Sequence, residues 1–116
     1  MSSSEQFPIP EIEFLGEQDG MVERQLKDAL VALLRRDPTV DRAYLARVRY
    51  DGTTNGVALG LLTDGDDESE ALVKQVGAAF ASIFNAKAHL DIIFLTDQRD
   101  TEIRRVCAAF YQRPRT

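Results

Sequence analysis

One cysteine, one histidine and a dense acidic run are the residues of this 116-residue chain with the most evident capacity for chemistry. Cys107 is a nucleophile only where a base, a cation or a helix amino end stabilises its thiolate. It falls late in a helical stretch, on the apolar stripe and one turn after Arg104, and this predicts a buried packing residue. His89, in Ala88-His89-Leu90, has no carboxylate, serine or cysteine at a triad-like spacing and reads as a solvated or structural imidazole. Asp64-Gly65-Asp66-Asp67-Glu68-Ser69-Glu70 offers the oxygens that calcium or magnesium takes. The spacing fails: with Asp64 first, Ser69 stands where a calcium loop needs glycine and Gln75 where it needs a bidentate glutamate. Acids ahead of a helix also serve as caps and complement its dipole. Arg47 and Arg49 share one strand face, and their guanidinium forks are the candidate anion contacts. Glycine-rich dinucleotide, phosphate-loop and Gly-x-Ser-x-Gly signatures are absent. These residues predict no catalytic constellation, no cofactor and no metal site.

The elements that hold these residues follow from hydrophobic spacing. Met1 to Pro10 is polar and proline-broken, predicting a flexible N-terminal segment, with a single domain over 11–113 and a tail at 114–116. Glu11 to Leu15 alternates as a short strand that Gly16 stops. Val22, Leu26, Leu30, Leu33 and Leu34 recur at helical spacing over 21–36, with Asp19 as the expected cap and Asp37-Pro38 as the stop. Asp41 to Tyr50 and Val57 to Leu62 alternate on either side of a turn-rich segment and predict a hairpin. A helix over 68–86, a strand over 90–96 and a last helix over 99–110 complete a β-α-β-β-α-β-α order. This order predicts an α+β two-layer sandwich with a ferredoxin-like sheet and helices on one face.

That arrangement has a consequence for partners. With Tyr44, Ala46, Val48, Val57, Leu59, Leu61, Ile92 and Phe94 facing the helices, Leu45, Leu62, Ile93 and Leu95 lie on the opposite face. Such a face is too apolar to stay wet, so the terminal helix, the N-terminal segment or a second chain must cover it. Leu45, Leu62, Ile93 and Leu95 are therefore the candidate interface.

Composition bounds the rest. At 44% hydrophobic and 28% charged residues, with a net charge of -5, the chain reads as one ordinary soluble domain. One cysteine and one histidine exclude an internal disulfide scaffold and a histidine-rich metal site. Without a signal-like start or a run of roughly 18 apolar residues, a cytoplasmic location is expected and a membrane is not. Arg99, Arg104, Arg105, Arg113 and Arg115 are interleaved with Asp97, Asp100 and Glu102, too diluted a footprint for nucleic acid.

Three segments carry a resemblance to a family. Gly16-Glu17, Asp37-Pro38-Thr39-Val40-Asp41-Arg42-Ala43-Tyr44-Leu45 and Phe110-Tyr111-Gln112-Arg113 resemble the C-terminal domain of SseB-type proteins, the enhanced serine sensitivity family, over residues 11–113. Gln18 and Ala109 stand where the family often has proline. SseB-type proteins typically carry a preceding domain for which this chain has no room. The resemblance implies a bacterial cytoplasmic protein with no established reaction, and its matching residues read as scaffold.

The first functional expectation is thus a non-catalytic SseB-like module acting through protein contacts, as a homodimer or with another cytoplasmic protein. The alternative is a small-molecule sensor, of an amino acid, by analogy with ACT domains that share the β-α-β-β-α-β order. A small enzyme ranks third.

Overall fold

The computed structural model describes residues 11–64, 70–84 and 90–114. Among them five strands and three helices follow in the order β1 (Ile12–Glu17), α1 (Met21–Leu34), β2 (Val40–Tyr50), β3 (Thr54–Thr63), α2 (Glu70–Ile83), β4 (Asp91–Phe94), α3 (Asp97–Arg104) and β5 (Tyr111–Gln112). The α+β class is as the sequence predicts. The expected segment 1–10, most of the acidic run, His89 and the end of the tail lie outside the described residues.

The sheet runs in the order β1-β2-β3-β4, antiparallel except for the parallel β3–β4 pair. β5 pairs with β2 at Arg42↔Gln112 and Ala43↔Tyr111, while β1 pairs with residues 46–50 of the same strand. Two short strands therefore tile one edge of the long β2. This corrects the ferredoxin-like expectation, in which strands joined by a helix run parallel with another strand between them. Here β1 and β2 flank α1 yet pair directly and antiparallel, and only β3-α2-β4 forms a crossover of parallel strands. Element order is blind to this difference because a helix joins strands of either sense.

The hairpin is tighter than its turn-rich segment suggests. Asp51 and Gly52 both take positive φ (51° and 74°), the geometry of an Asp-Gly turn whose twist matches its strands, and the Thr53 N–H donates to the Tyr50 carbonyl. β3 can then begin at Thr54.

Two apolar clusters form, one on each sheet face. On the first, Leu26, Leu30 and Leu34 of α1 and Leu72 and Val76 of α2 pack over Ala43, Leu45, Leu59 and Leu61. On the second, Ile103 and Cys107 pack over Phe14, Tyr44, Ala46, Val48, Ala58, Leu62 and Leu95. Helices thus lie on both faces, and α3 adds a third, shorter layer. Each fully buried leucine contributes about 1.5–3 kcal/mol, so both layers stabilise the fold. The expected split of faces has the phase of β2 inverted relative to β3: Leu45 pairs with Leu59 and Ala43 with Leu61, so these four share the α1/α2 side. Alternation fixes which residues of one strand agree, and only register fixes which strands agree.

Candidate functional site

The two longest segments carrying the family resemblance meet in space. β5, with Tyr111 and Gln112, lies along the first half of β2, and the Phe110 and Arg113 N–H groups donate to the Ala43 and Asp41 carbonyls. The Arg113 guanidinium bonds the Pro38 carbonyl and pairs with Asp41. These residues frame a polar cleft of about 350 Å³, lined by Asp41, Arg42, Leu62, Asp97, Gln112 and Arg113.

Behind the cleft sits the most buried carboxylate described, Asp100, 4% exposed on α3. Its Oδ2 accepts from Arg42 Nη2 at 2.7 Å, its Oδ1 from the Tyr44 hydroxyl at 2.7 Å, and Arg104 stands 3.9 Å away. Thr96 caps α3 by accepting the Arg99 N–H, which sets the first turn so that Asp100 faces β2. Sequence reasoning passed over Asp100, counting it only as a diluting charge. Its signal was an acid on the inward side of a helix, facing a strand with Arg42 and Tyr44 at i and i+2.

The charges of this corner are committed. Asp100 hydrogen-bonds Arg42 and raises its pKa further. Burial first and the Asp100 carboxylate second push the Tyr44 hydroxyl up to about 12. Burial likewise pushes the Cys107 thiol up to about 11; the residue is 5% exposed and its Sγ–H donates to the Leu45 carbonyl. A thiol held protonated is a poor nucleophile, as the packing reading of Cys107 expects. The arrangement clasps α3 and β5 to β2.

A second polar cluster fixes the start of α1. Asp19 does not cap the helix as expected; Gly20 is the N-cap and no side chain bonds there. Asp19 instead accepts from Arg24 and Lys27, which hold its carboxyl below the usual range. Burial pulls the Lys27 ammonium down, but hydrogen bonds to Glu17 at 2.8 Å and to Asp19 outweigh it, and the pKa rises.

The candidate interface residues separate. Leu62, Ile93 and Leu95 share the α3 side, whereas Leu45, 1% exposed, lies under α1 and α2. Leu62 and Leu95 are buried by the chain's own α3 and Ile93 is half-buried, so the terminal helix provides the cover that the face required. Arg47 and Arg49 lie on the α1/α2 side beyond the helices. Arg49 pairs with Glu13 at 3.3 Å, and exposed Arg47 lies against Gly16, where a Cβ would come within 3.0 Å of its Nη2. Arg49 lines a cleft of about 490 Å³ with Arg105, Glu13 and Glu102, and Arg47 is not part of it. No group of three His, Cys, Asp or Glu able to hold a metal occurs among the described residues.

An open edge lies at the other end of the sheet. β4 is an edge strand, Asp-Ile-Ile-Phe, with all four residues half-buried. Above it α2 carries Glu70 and Lys74 as the charged residues of its 14, and buries fully only Leu72 and Val76. Val73 is 36% exposed, and the half-buried Phe80 and Phe84 stack with ring centroids 4.6 Å apart.

Fold and site define an α+β domain held by a clasp between β2, β5 and α3. The family model described as SseB protein C-terminal domain matches residues 17–113, and the chain belongs to that family. No curated protein and no solved structure matches it. Among the described residues no helix is long and apolar enough to cross a membrane.

Proposed function

We propose that this domain works through protein contacts and not by turning over a substrate. The observation that carries the reading is the open β4 edge with the weakly charged α2 beside it, where exposed Val73 and half-buried Ile92 and Phe94 lie on one sheet face. Exposed apolar patches rimmed by polar residues mark interaction sites, and an open strand edge is a template for another chain. The groups most able to do chemistry support the same reading, since Tyr44 and Cys107 titrate far from neutral pH and Asp100 is held by two donors. A bacterial cytoplasmic setting, with a homodimer or another cytoplasmic protein as the partner, belongs to this proposal. The amino-acid-sensor alternative leaned on a ferredoxin-like order that the sheet lacks.

A photo-reactive side chain in place of Val73, compared with one in place of exposed Ala32 on α1, tests the proposal in living bacteria. A discrete polypeptide adduct from position 73 alone is the expected result. Adducts from neither position, or equally from both, would overturn it.

A further inference from the structure

We propose that the outer edge of β4 and the adjoining flank of α2 form a twofold interface between two copies of this chain. The inference rests on the contact-module reading and names its partner.

Hydrogen-bond phase gives the first argument. The Leu95 N–H donates inward to the Leu61 carbonyl of β3. Along a strand the direction alternates, so Asp91 and Ile93 also turn their backbone groups to β3, while those of Ile92 and Phe94 point outward. No strand lies beyond them among the described residues. An antiparallel copy centred on Ile93 pairs Ile92 with Phe94 of the second chain, and Phe94 with its Ile92. All four outward groups of each chain are then satisfied, and the two Ile93 side chains meet across the axis. This register is its own image under a twofold, as an isologous interface requires.

The flank of α2 gives the second. Ala71 and Gln75 line a cleft with Leu33 and Arg36 at the end of α1, which marks the α1 side of α2. At about 100° per residue, Val73 and Gly77 lie on the opposite flank, while Phe80 and Phe84 line a small cavity with Glu23 and Leu26 of α1. A right-handed β3-α2-β4 crossover places that flank on the β4 side. A Cβ added at Gly77 meets nothing within 4 Å, so a smooth, open place lies midway along it. In the twofold register the flank of one α2 faces that of the other above the joined strands. A helix flank about 21 Å long and about 10 Å wide offers about 200 Å² per chain beside the backbone pairing of a four-residue strand edge, the small area of a weak, concentration-dependent contact.

The contrast with β1 gives the third. That edge carries Glu11, Glu13 and Glu17 and a bulge at Leu15, the devices by which edges repel unwanted pairing. β4 has no bulge, lysine or proline, and its one acid, Asp91, accepts from the Tyr50 hydroxyl.

Sedimentation of the full chain across a concentration series, with amide exchange followed by NMR, tests the proposal. We expect mass to rise from 13.0 kDa to twice that value. The Ile92 and Phe94 amides should slow by about tenfold or more as it does. Gly77→Glu should return the chain to monomer without lowering its melting temperature; if it does lower it, Val73→Glu on the same flank serves instead. A monomer at every concentration, a dimer whose Ile92 and Phe94 amides exchange as in the monomer, or a dimer indifferent to the folded variant would overturn the inference. A photo-adduct from position 73 to a different protein, with no self-association, leaves the contact-module reading standing and sinks the second copy. No adduct at all sinks both.

Discussion

The Tyr44 hydroxyl donates to the Asp100 carboxylate at 2.7 Å, joining β2 to α3 across 56 positions of sequence. Arg42, two residues before Tyr44 on the same sheet face, holds the other carboxylate oxygen. A single buried acid thereby fixes the short helix that closes the second face of the sheet.

Removing that acid leaves Arg42 and Tyr44 without their shared partner. Asp100→Ala is expected to destabilise the chain by about 3 kcal/mol, the range for breaking a buried pair from one side. Tyr44→Phe, which deletes one neutral donor, is expected to cost about 1 kcal/mol. Urea midpoints check both, and equal losses would contradict this account of the clasp.

Alkaline pH should loosen the same layer. The folded Tyr44 hydroxyl lies near 12 against an ordinary 10.0, and the Cys107 thiol near 11 against 9.0, with burial the leading cause for each. Both folded values are raised, so the fold favours the protonated forms; their contribution is full below about pH 9 and is lost as pH climbs from there towards 12. Tyr50, pushed upward by burial and by Asp91, adds in the same sense. Urea midpoints between pH 8 and 11 should fall more steeply for the wild type than for a Tyr44→Phe, Cys107→Ala double variant.

The thiol itself should be quiet. Moving it from 9.0 to about 11 lowers the thiolate fraction about 100-fold at neutral pH, before burial slows access further. Labelling by an aromatic disulfide should be at least that much slower in the folded chain than in urea. A rate near that of free cysteine would contradict the packing role.

Gly60 faces α3 from the middle of β3. A Cβ there would lie 3.2 Å from one Leu95 methyl and 3.4 Å from Ile103 Cδ1. Gly60→Val should overpack this contact and destabilise by about 1–3 kcal/mol, whereas Gly77→Ala, in open space within a helix, should stabilise by about 0.5–1 kcal/mol. Thermal melts of the two variants check the opposite signs.

Much of this was legible in sequence, and the reasons differ by element. Leu26, Leu30 and Leu34 repeat at helical spacing and are buried as that spacing predicts, because one amphipathic helix is a local matter. The expected last helix, 99–110, ends at Arg104, because its final residues supply the approach to β5 and the Phe110 N–H is spent on Ala43. A two-residue strand has no period to detect. Leu45 lies on the face opposite to the one expected, because the relation between β2 and β3 depends on the register set at the Asp51-Gly52 turn. Arg47 and Arg49 share a face as alternation predicts, but not a common ligand geometry. The α2 flank had a readable sign that spacing alone did not weigh: two charges in a 14-residue helix are few for one with an exposed side.

The most direct measurement of the proposed contact is a disulfide trap. In the twofold register residue 93 sits opposite itself in a pair without hydrogen bonds, with Cα atoms about 4.5 Å apart, close enough for a disulfide. In a Cys107→Ala background, Ile93→Cys should become a covalent dimer on mild oxidation, and Ala32→Cys on exposed α1 should remain monomeric. Failure of Ile93→Cys to cross-link, or cross-linking as fast from position 32, would contradict the account.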